Sequence, residues 1–535
     1  MNYKGRTYSY LALPLMILTA CVLGPAPARA QMTSTGIDCS QIAALHLLQQ
    51  ENMRAGLALM ECGMIPRPHG THSGDDVEGD TPAPPNILVS NRSCVSNSSC
   101  TKSESTVWHT TVPGDATVVV NYNDHNPNPV QNYSGTTFST DNGATFTEIL
   151  PPPFATGHGT NFGDPILVYN KRLGRWFAGD LVSDVSGGNC GSQGIGLWTS
   201  TDGATWTTDA CPHSGSADDR ESMWVDNNPS SGCYGRMYAS WNDFSVSGDL
   251  YVTYSTNHTI PVTWSAPVLL HTGMPFIRDV QLTGLSDNVP SACATCGQVY
   301  VAGMDEGGGG LNTRQNHMFR SANCGMTWTD VIMDATRFNP PGDGLCSSNP
   351  YFAQMNPIWR HMGWGQPGAE GTVVHYAYAA KGVLSSGDIL YTRSTNAGLT
   401  WSTPIVLNDP ETNGFQSHWM PSLSVNDVGK VTVSWYDRRQ ATTACNLVTD
   451  PGCSYQRFGV QSLNNGVTWG SNFAISDQVI PQPTQNDPGV SPCYAGDYDY
   501  STALDGIAYV TWTDGRVAVG GVQVQNVEFA AVPEP

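Results

Sequence analysis

The sequence predicts an all-β protein: a β-propeller of seven, alternatively six, four-stranded blades, with a short helical segment at the N-terminus. Three observations predict it. A turn motif recurs six times. An apolar strand ending in Asp also recurs six times, with a seventh copy lacking the Asp. The composition suits short strands and turns, with 56 Gly, 15 Trp and only 13% charged residues. A unit recurring every 55 to 73 residues implies a repeat architecture.

The turn motif reads Ser, any residue, Asp or Asn, a spacer, Gly, any residue, Thr, aromatic. Full copies start at Ser139, Ser321, Ser394 and Ser462. A copy one residue shorter starts at Ser200, and a degraded one lies between Ser255 and Trp264 with Asn257 in the acidic slot. Asp or Asn accepts hydrogen bonds from turn amides, and Gly takes a backbone conformation that other residues resist. Thr returns the chain to a strand, and the aromatic ring can bury a large face between neighbouring sheets. These copies resemble the Asp-box (BNR) repeat of sialidases and related β-propellers, over most of the chain after about residue 85.

The strand copies are Val118–Asp124, 176–180, Met237–Asp243, Val299–Asp305, Val431–Asp437 and 508–514, with 373–379 as the copy lacking Asp. The last blade has strands near 498–504, 508–514 and 522–529. It lacks a fourth, which 86–90 could donate, closing the ring. The domains then read 1–30 signal peptide, 31–64 helical segment, 65–85 linker and 86–531 propeller.

In a four-strand meander the Asp-box turns join third to fourth strands and share one face. First-strand beginnings and second-strand ends share the other, where loops converge. First-strand beginnings bring Asp164, Arg220 with Glu221, Arg278 with Asp279, Arg360 with His361, His418, and Asp497 with Asp499. Second-strand ends bring Asp124, Asp180, Asp243, Asp305, Asp437 with Arg438 and Arg439, and Asp514 with Arg516. Tyr436, Tyr498 and Tyr500 lie close in sequence to these.

The resemblance implies an exo-α-sialidase-type glycoside hydrolase. In that family three arginines clamp a substrate carboxylate, a Tyr activated by a Glu is the nucleophile, and an Asp is the acid/base. The family's Phe/Tyr-Arg-Ile-Pro signature is absent; the nearest string is Phe276-Ile277-Arg278-Asp279. Topology alone therefore supplies the candidates. Arg220, Arg278, Arg438 and Arg516 are candidates for the clamp, and Glu221 for the base. Tyr498 or Tyr500 is the candidate nucleophile, with Asp497 and Asp437 as candidate acids. The alternative reading is a non-catalytic propeller that binds a glycan or a surface protein.

No cofactor is expected. Calcium is the one candidate ion, at Asp497 and Asp499 with Asp505 and Gly506. A net charge of −21 argues against nucleic acid and anionic membranes as partners, leaving a glycan or glycoconjugate. Lys4 and Arg6, an apolar run over 11–24 and Ala28-Arg29-Ala30 read as an export signal. The competing string Leu18-Thr19-Ala20-Cys21 resembles a lipobox with Cys21 lipidated. Export makes disulfides the expected state of the other fourteen cysteines. Local spacing pairs Cys39 with Cys62, Cys94 with Cys100, Cys190 with Cys211, Cys324 with Cys346, and Cys445 with Cys453.

Overall fold

A computed structural model describes residues 32–64, 83–90 and 101–534, except 111, 113, 126–131, 150–156, 185–189, 286–296, 348, 357–358, 448 and 485–492. The expected signal, the lipobox cysteine, most of the linker and the pair Cys94 with Cys100 lie outside the described residues. Among the described residues nine sheets form, and seven of them, each of at least four strands and mainly antiparallel, follow one another along the chain. The first is Lys102–His109, Val118–Asp124, Ser134–Ser139 and Thr147–Glu148. The second is Ile166–Asn170, Arg175–Asp184, Gly191–Ser200 and Trp206–His213. The third is Asp218–Val225, Met237–Asp243, Asp249–Tyr254 and Val268–His271. The fourth is Ile277–Gly284, Val299–Asp305, Gln315–Ser321 and Thr329–Ile332. The fifth is Gln366–Glu370, Val373–Ala380, Asp388–Ser394 and Ile405–Val406. The sixth is His418–Val425, Val431–Asp437, Gln456–Ser462 and Phe473–Ala474.

The seventh sheet closes the ring. Thr502–Leu504, Ile507–Asp514 and Asn526–Pro533 take their outermost strand from Ile87–Leu88, which pairs with Phe529 and Glu528. The innermost strand of each sheet touches the next sheet, and the seventh touches the first. Every residue of the second strands Val118–Asp124, Val299–Asp305 and Val431–Asp437 is buried, because each sheet is covered on both faces by its neighbours. Their sequences are apolar runs rather than alternations for that reason.

The six turn motifs all join third to fourth strands, on the face opposite the starts of the inner strands. In the first copy the Ser139 hydroxyl donates to Asp141 at 2.7 Å and accepts from the Gly143 amide, while Asp141 accepts from the Thr145 amide and hydroxyl. Where Asn replaces Asp, its amide nitrogen donates to the Thr hydroxyl instead, at 2.9 Å in the copies at Asn323, Asn396 and Asn464. The closing aromatic packs on the preceding sheet: Trp469 meets Tyr391 edge-on at 4.7 Å, and Phe146 meets Phe529 at 4.9 Å. Gly466 holds φ at +70°, and an added Cβ would lie 1.8 Å from the Tyr391 hydroxyl. Gly174 holds φ at +60° with open space around it. Gly174→Ala should cost about 1 kcal/mol from backbone strain alone, and Gly466→Ala about 2 kcal/mol more from overpacking. Urea melts of the two variants check the difference, and equal losses would refute the tight turn-to-sheet contact.

Five disulfides join described cysteines, a number suited to an oxidising, extracellular or periplasmic setting. Among the described residues no helix is long and apolar enough to cross a membrane. Cys39 with Cys62, Cys190 with Cys211 and Cys445 with Cys453 are paired as spacing suggests. The expected bond between Cys324 and Cys346 does not form. Cys324 lies in a turn motif on one face and bonds Cys233 of the third sheet, while Cys346 lies near the other face and bonds Cys493. Closeness in sequence fails here because the fourth sheet separates them.

The N-terminal segment is less helical than its apolar pattern predicts. It holds a 3-10 turn, Cys39–Gln41, and one helix, Met53–Glu61, capped by the Asn52 side chain on the Ala55 amide. Residues 42–50 form turns, with His46 at φ 50°. Their backbone is needed elsewhere. The carbonyls of Gln49 and Glu51 accept from arginines of the ring, which a continuous helix would preclude.

Candidate functional site at the ring mouth

The inner strands begin at the face away from the turn motifs, and several begin with a bulge. Register shifts fall after Ser103, Asp219, Asp279 and Trp419. Glu104, Arg220 and Met420 sit inside three of these bulges with φ between 50° and 57°. Asp164, just before the second inner strand, has φ 64°. Side chains so strained and re-aimed are a mark of functional positions.

Three arginines meet at this mouth. Arg220 Nε lies 2.9 Å from Glu51 Oε1, and its Nη1 donates to the Tyr500 hydroxyl at 2.6 Å. Its guanidinium stands 4.2 Å over the Tyr498 ring, which stacks on Tyr500. Arg278 Nη1 lies 2.9 Å from Asp219 and 3.7 Å from Glu51 Oε2, and its Nε donates to Glu306 at 3.1 Å. Its Nη2 donates to the Gln49 carbonyl. Arg360 forks onto Asp497 at 3.0 and 2.5 Å and donates to the Glu51 carbonyl at 3.0 Å. All three are at most 2% exposed. The N-terminal segment thus lies in the mouth, with Glu51 at its tip.

Around them lie buried acids. Burial pushes Glu104 and Asp180 up to about 8, and Asp164 and Glu221 well above the usual carboxylate range. Glu104 accepts from the Tyr494 hydroxyl and, at 3.0 Å, from the Asp497 amide. Glu306 accepts from the Tyr351 hydroxyl and from Trp364 Nε1. These two Tyr–Glu couples were not legible in the sequence. Glu104 stands in the first inner strand at a bulge like that of Arg220, and its partner Tyr494 lies 390 residues away in sequence. Tyr351 and Glu306 lie 45 residues apart.

The expected residues divide. Arg220, Arg278, Asp497 and Tyr498 are at the mouth, joined by Arg360. Glu221 is fully buried beside them, yet neither its carboxyl oxygens nor the Tyr498 hydroxyl has a hydrogen-bond partner among the described residues. The Tyr498–Glu221 couple therefore does not form. Asp437 and Arg516 belong to a repeated brace. Asp437 is gripped by Arg439 at 3.1 and 2.7 Å and by Trp435 Nε1, and Asp514 by Arg516 at 2.9 Å twice and by Trp512 Nε1. That Trp-x-Asp-x-Arg pattern ties the second strands of the sixth and seventh sheets to the loops after them. Arg438 turns to Ser417, the Met355 carbonyl and the face of Trp419, lining a separate cavity of about 480 Å³. The expected calcium ligands are apart. Asp497 holds Arg360, Asp499 accepts from Ser105 and Tyr436, and Asp505 is exposed in a turn at the other end of the strand.

No protein-family model matches the chain, and no curated protein sequence is similar to it. Solved structures of low identity do align. An α-L-arabinanase of Penicillium chrysogenum is 13% identical, with 66% of this chain and 94% of that one covered at a TM-score of 0.41. The endosialidase of phage phi92 is 11% identical, with 85% and 70% covered at 0.41. An ulvan lyase of polysaccharide lyase family 25 is 10% identical, with 87% and 96% covered at 0.44.

Proposed function

We propose that this protein is a glycan-active propeller whose mouth recognises a carboxylate, acting as a sialidase-like glycoside hydrolase outside the cell. One observation carries the reading: the guanidinium groups of Arg220 and Arg278 flank a single carboxylate, that of Glu51, and Arg360 binds the Glu51 carbonyl beside them. Planar guanidinium groups suit a sugar carboxylate, and two of them fix its orientation. The couple Tyr494–Glu104 supplies a nucleophile and its base once Glu104 is ionised: its carboxyl, raised to about 8, is then a strong base that takes the phenol proton as the oxygen attacks an anomeric carbon and the glycosidic C–O bond breaks, so turnover should rise with pH toward 8. Asp164, kept neutral by burial, can donate a proton to the leaving oxygen.

A specific observation favours the binding reading instead. Arg278 is already paired with Asp219 and Glu306, and Arg360 with Asp497, as in a structural network. Fluorophore release from an aryl sialoside separates the two. Turnover is expected from the purified protein and should fall at least 100-fold in Arg220→Met and in Tyr494→Phe. No release across a panel of aryl glycosides, with binding to a glycan array retained, would replace the hydrolase by the lectin-like reading.

A further inference from the structure

The occupant of the mouth is part of the chain itself. Residues 32–64, stapled by the bond between Cys39 and Cys62, dock over the ring. Asn52 Nδ2 and the Glu51 amide donate to the two oxygens of Asp219 at 2.7 and 3.0 Å. Asn349 donates to the Leu48 carbonyl at 2.8 Å, Arg54 donates to Gln193 at 2.7 Å, and Met53 is buried against Phe162, Leu181 and Tyr494. These contacts place Glu51 between Arg220 and Arg278.

The fit of Glu51 itself is poor. Its carboxylate is 1% exposed and within ion-pair distance of two arginines, but neither oxygen takes an aligned hydrogen bond. A buried carboxylate normally takes several such bonds. Asp219 and Asp497 crowd it with like charge, and burial with that crowding holds its proton affinity well above the ordinary carboxylate range. The segment is therefore well anchored along its length and badly satisfied at its tip. A ligand carboxylate free to rotate into the donors would satisfy them better.

We propose that Glu51 is a stand-in, carried in cis, for the carboxylate of a sugar acid. The segment keeps the mouth occupied, and ligand binds only by replacing Glu51 on Arg220 and Arg278. This rests on the carboxylate-recognition half of the reading above and not on hydrolysis. Full-length Glu51→Ala, Glu51→Gln and wild type are compared by titration calorimetry and thermal shift with sodium acetate, N-acetylneuraminic acid and, as the neutral control, acetamide. Glu51→Ala should bind acetate and the sugar acid at least tenfold more tightly than wild type and melt higher as either is added, with no response to acetamide. Glu51→Gln keeps the packing and removes the charge, so it covers the case in which Glu51→Ala does not fold. It should bind the sugar acid more tightly than wild type.

In wild type, a saturating dose of N-acetylneuraminic acid should speed amide hydrogen exchange at residues 48–56, which a purely structural plug would not do. Equal affinities in all three proteins, or an equal response to acetamide, would overturn the proposal. Anion binding in Glu51→Ala without any sialoside turnover would keep cis occupancy and reject the hydrolase. Turnover in wild type with no gain in either variant would do the reverse.

Discussion

Arg278→Met is expected to lower stability by about 3–5 kcal/mol, the range for breaking a buried ion pair. Arg278 is fully buried and serves Asp219, Glu306 and Glu51 at once, and it also binds the Gln49 carbonyl. Methionine fills much of the volume but leaves three acids in a low-dielectric interior without a cation. Some will take up protons, which limits the loss without abolishing it. The loss should appear as a lower urea midpoint and as faster proteolysis at residues 43–52, since the segment loses two anchors. Arg516→Met is the comparison. Arg516 is part-exposed and one of its partners, Asp477, opens to water, so the cost there should be less than half. Similar midpoints for the two variants would mean that the mouth network contributes little to the fold.

Stability is expected to fall as pH rises from about 6 to about 8.5. Burial raises Glu104 and Asp180 to about 8, Asp218 to about 7 and Glu528 to about 8, with Asp164 and Glu221 raised as well. The folded chain holds these protons where the unfolded chain has released them. Their stabilisation is complete below the unfolded carboxylate values and is lost as pH passes through 7 to 8. His213 and His418, also raised, act in the same direction. Against them, burial lowers His109 and His125 to about 4 and His361 and His375 to about 3. These histidines fold neutral, so stability is lost below about 6.5 as the unfolded chain binds their protons. Because the raised acids outnumber these four histidines, the optimum should lie near the unfolded carboxylate values, at about pH 4 to 5. Calorimetric melts across pH 4 to 9 check it, and a melting temperature flat or rising up to pH 8.5 would be incompatible with these buried acids.

The scaffold was legible because its determinants are local. Ser139, Asp141, Gly143 and Thr145 contact one another within one turn, so eight residues of sequence contain the whole device. Second strands were legible because burial on both faces leaves an uninterrupted apolar run. The mouth was only half legible. Arg220 and Arg278 follow from the repeat, but their carboxylate partner comes from 168 residues before Asp219, in a segment that reads as an independent helix. Bulges with positive φ at Glu104 and Arg220 change which way neighbouring side chains point. Asp437 and Arg516 were drawn toward the site by their charge. Asp437 is held by Trp435 two residues before it and Arg516 by Asp514 two residues before it, itself held by Trp512, and the shared pattern marks a brace.

The outermost strand of the last sheet has a consequence in time as well as in space. Ser90 accepts the Val527 amide across 437 residues of sequence. At about 5–20 residues per second, translation separates the two by tens of seconds. Ile87 and Leu88 are made long before the strand that receives them, Asn526–Pro533. Birth order and assembly order are opposed at this seam, which cannot close until that strand has been made.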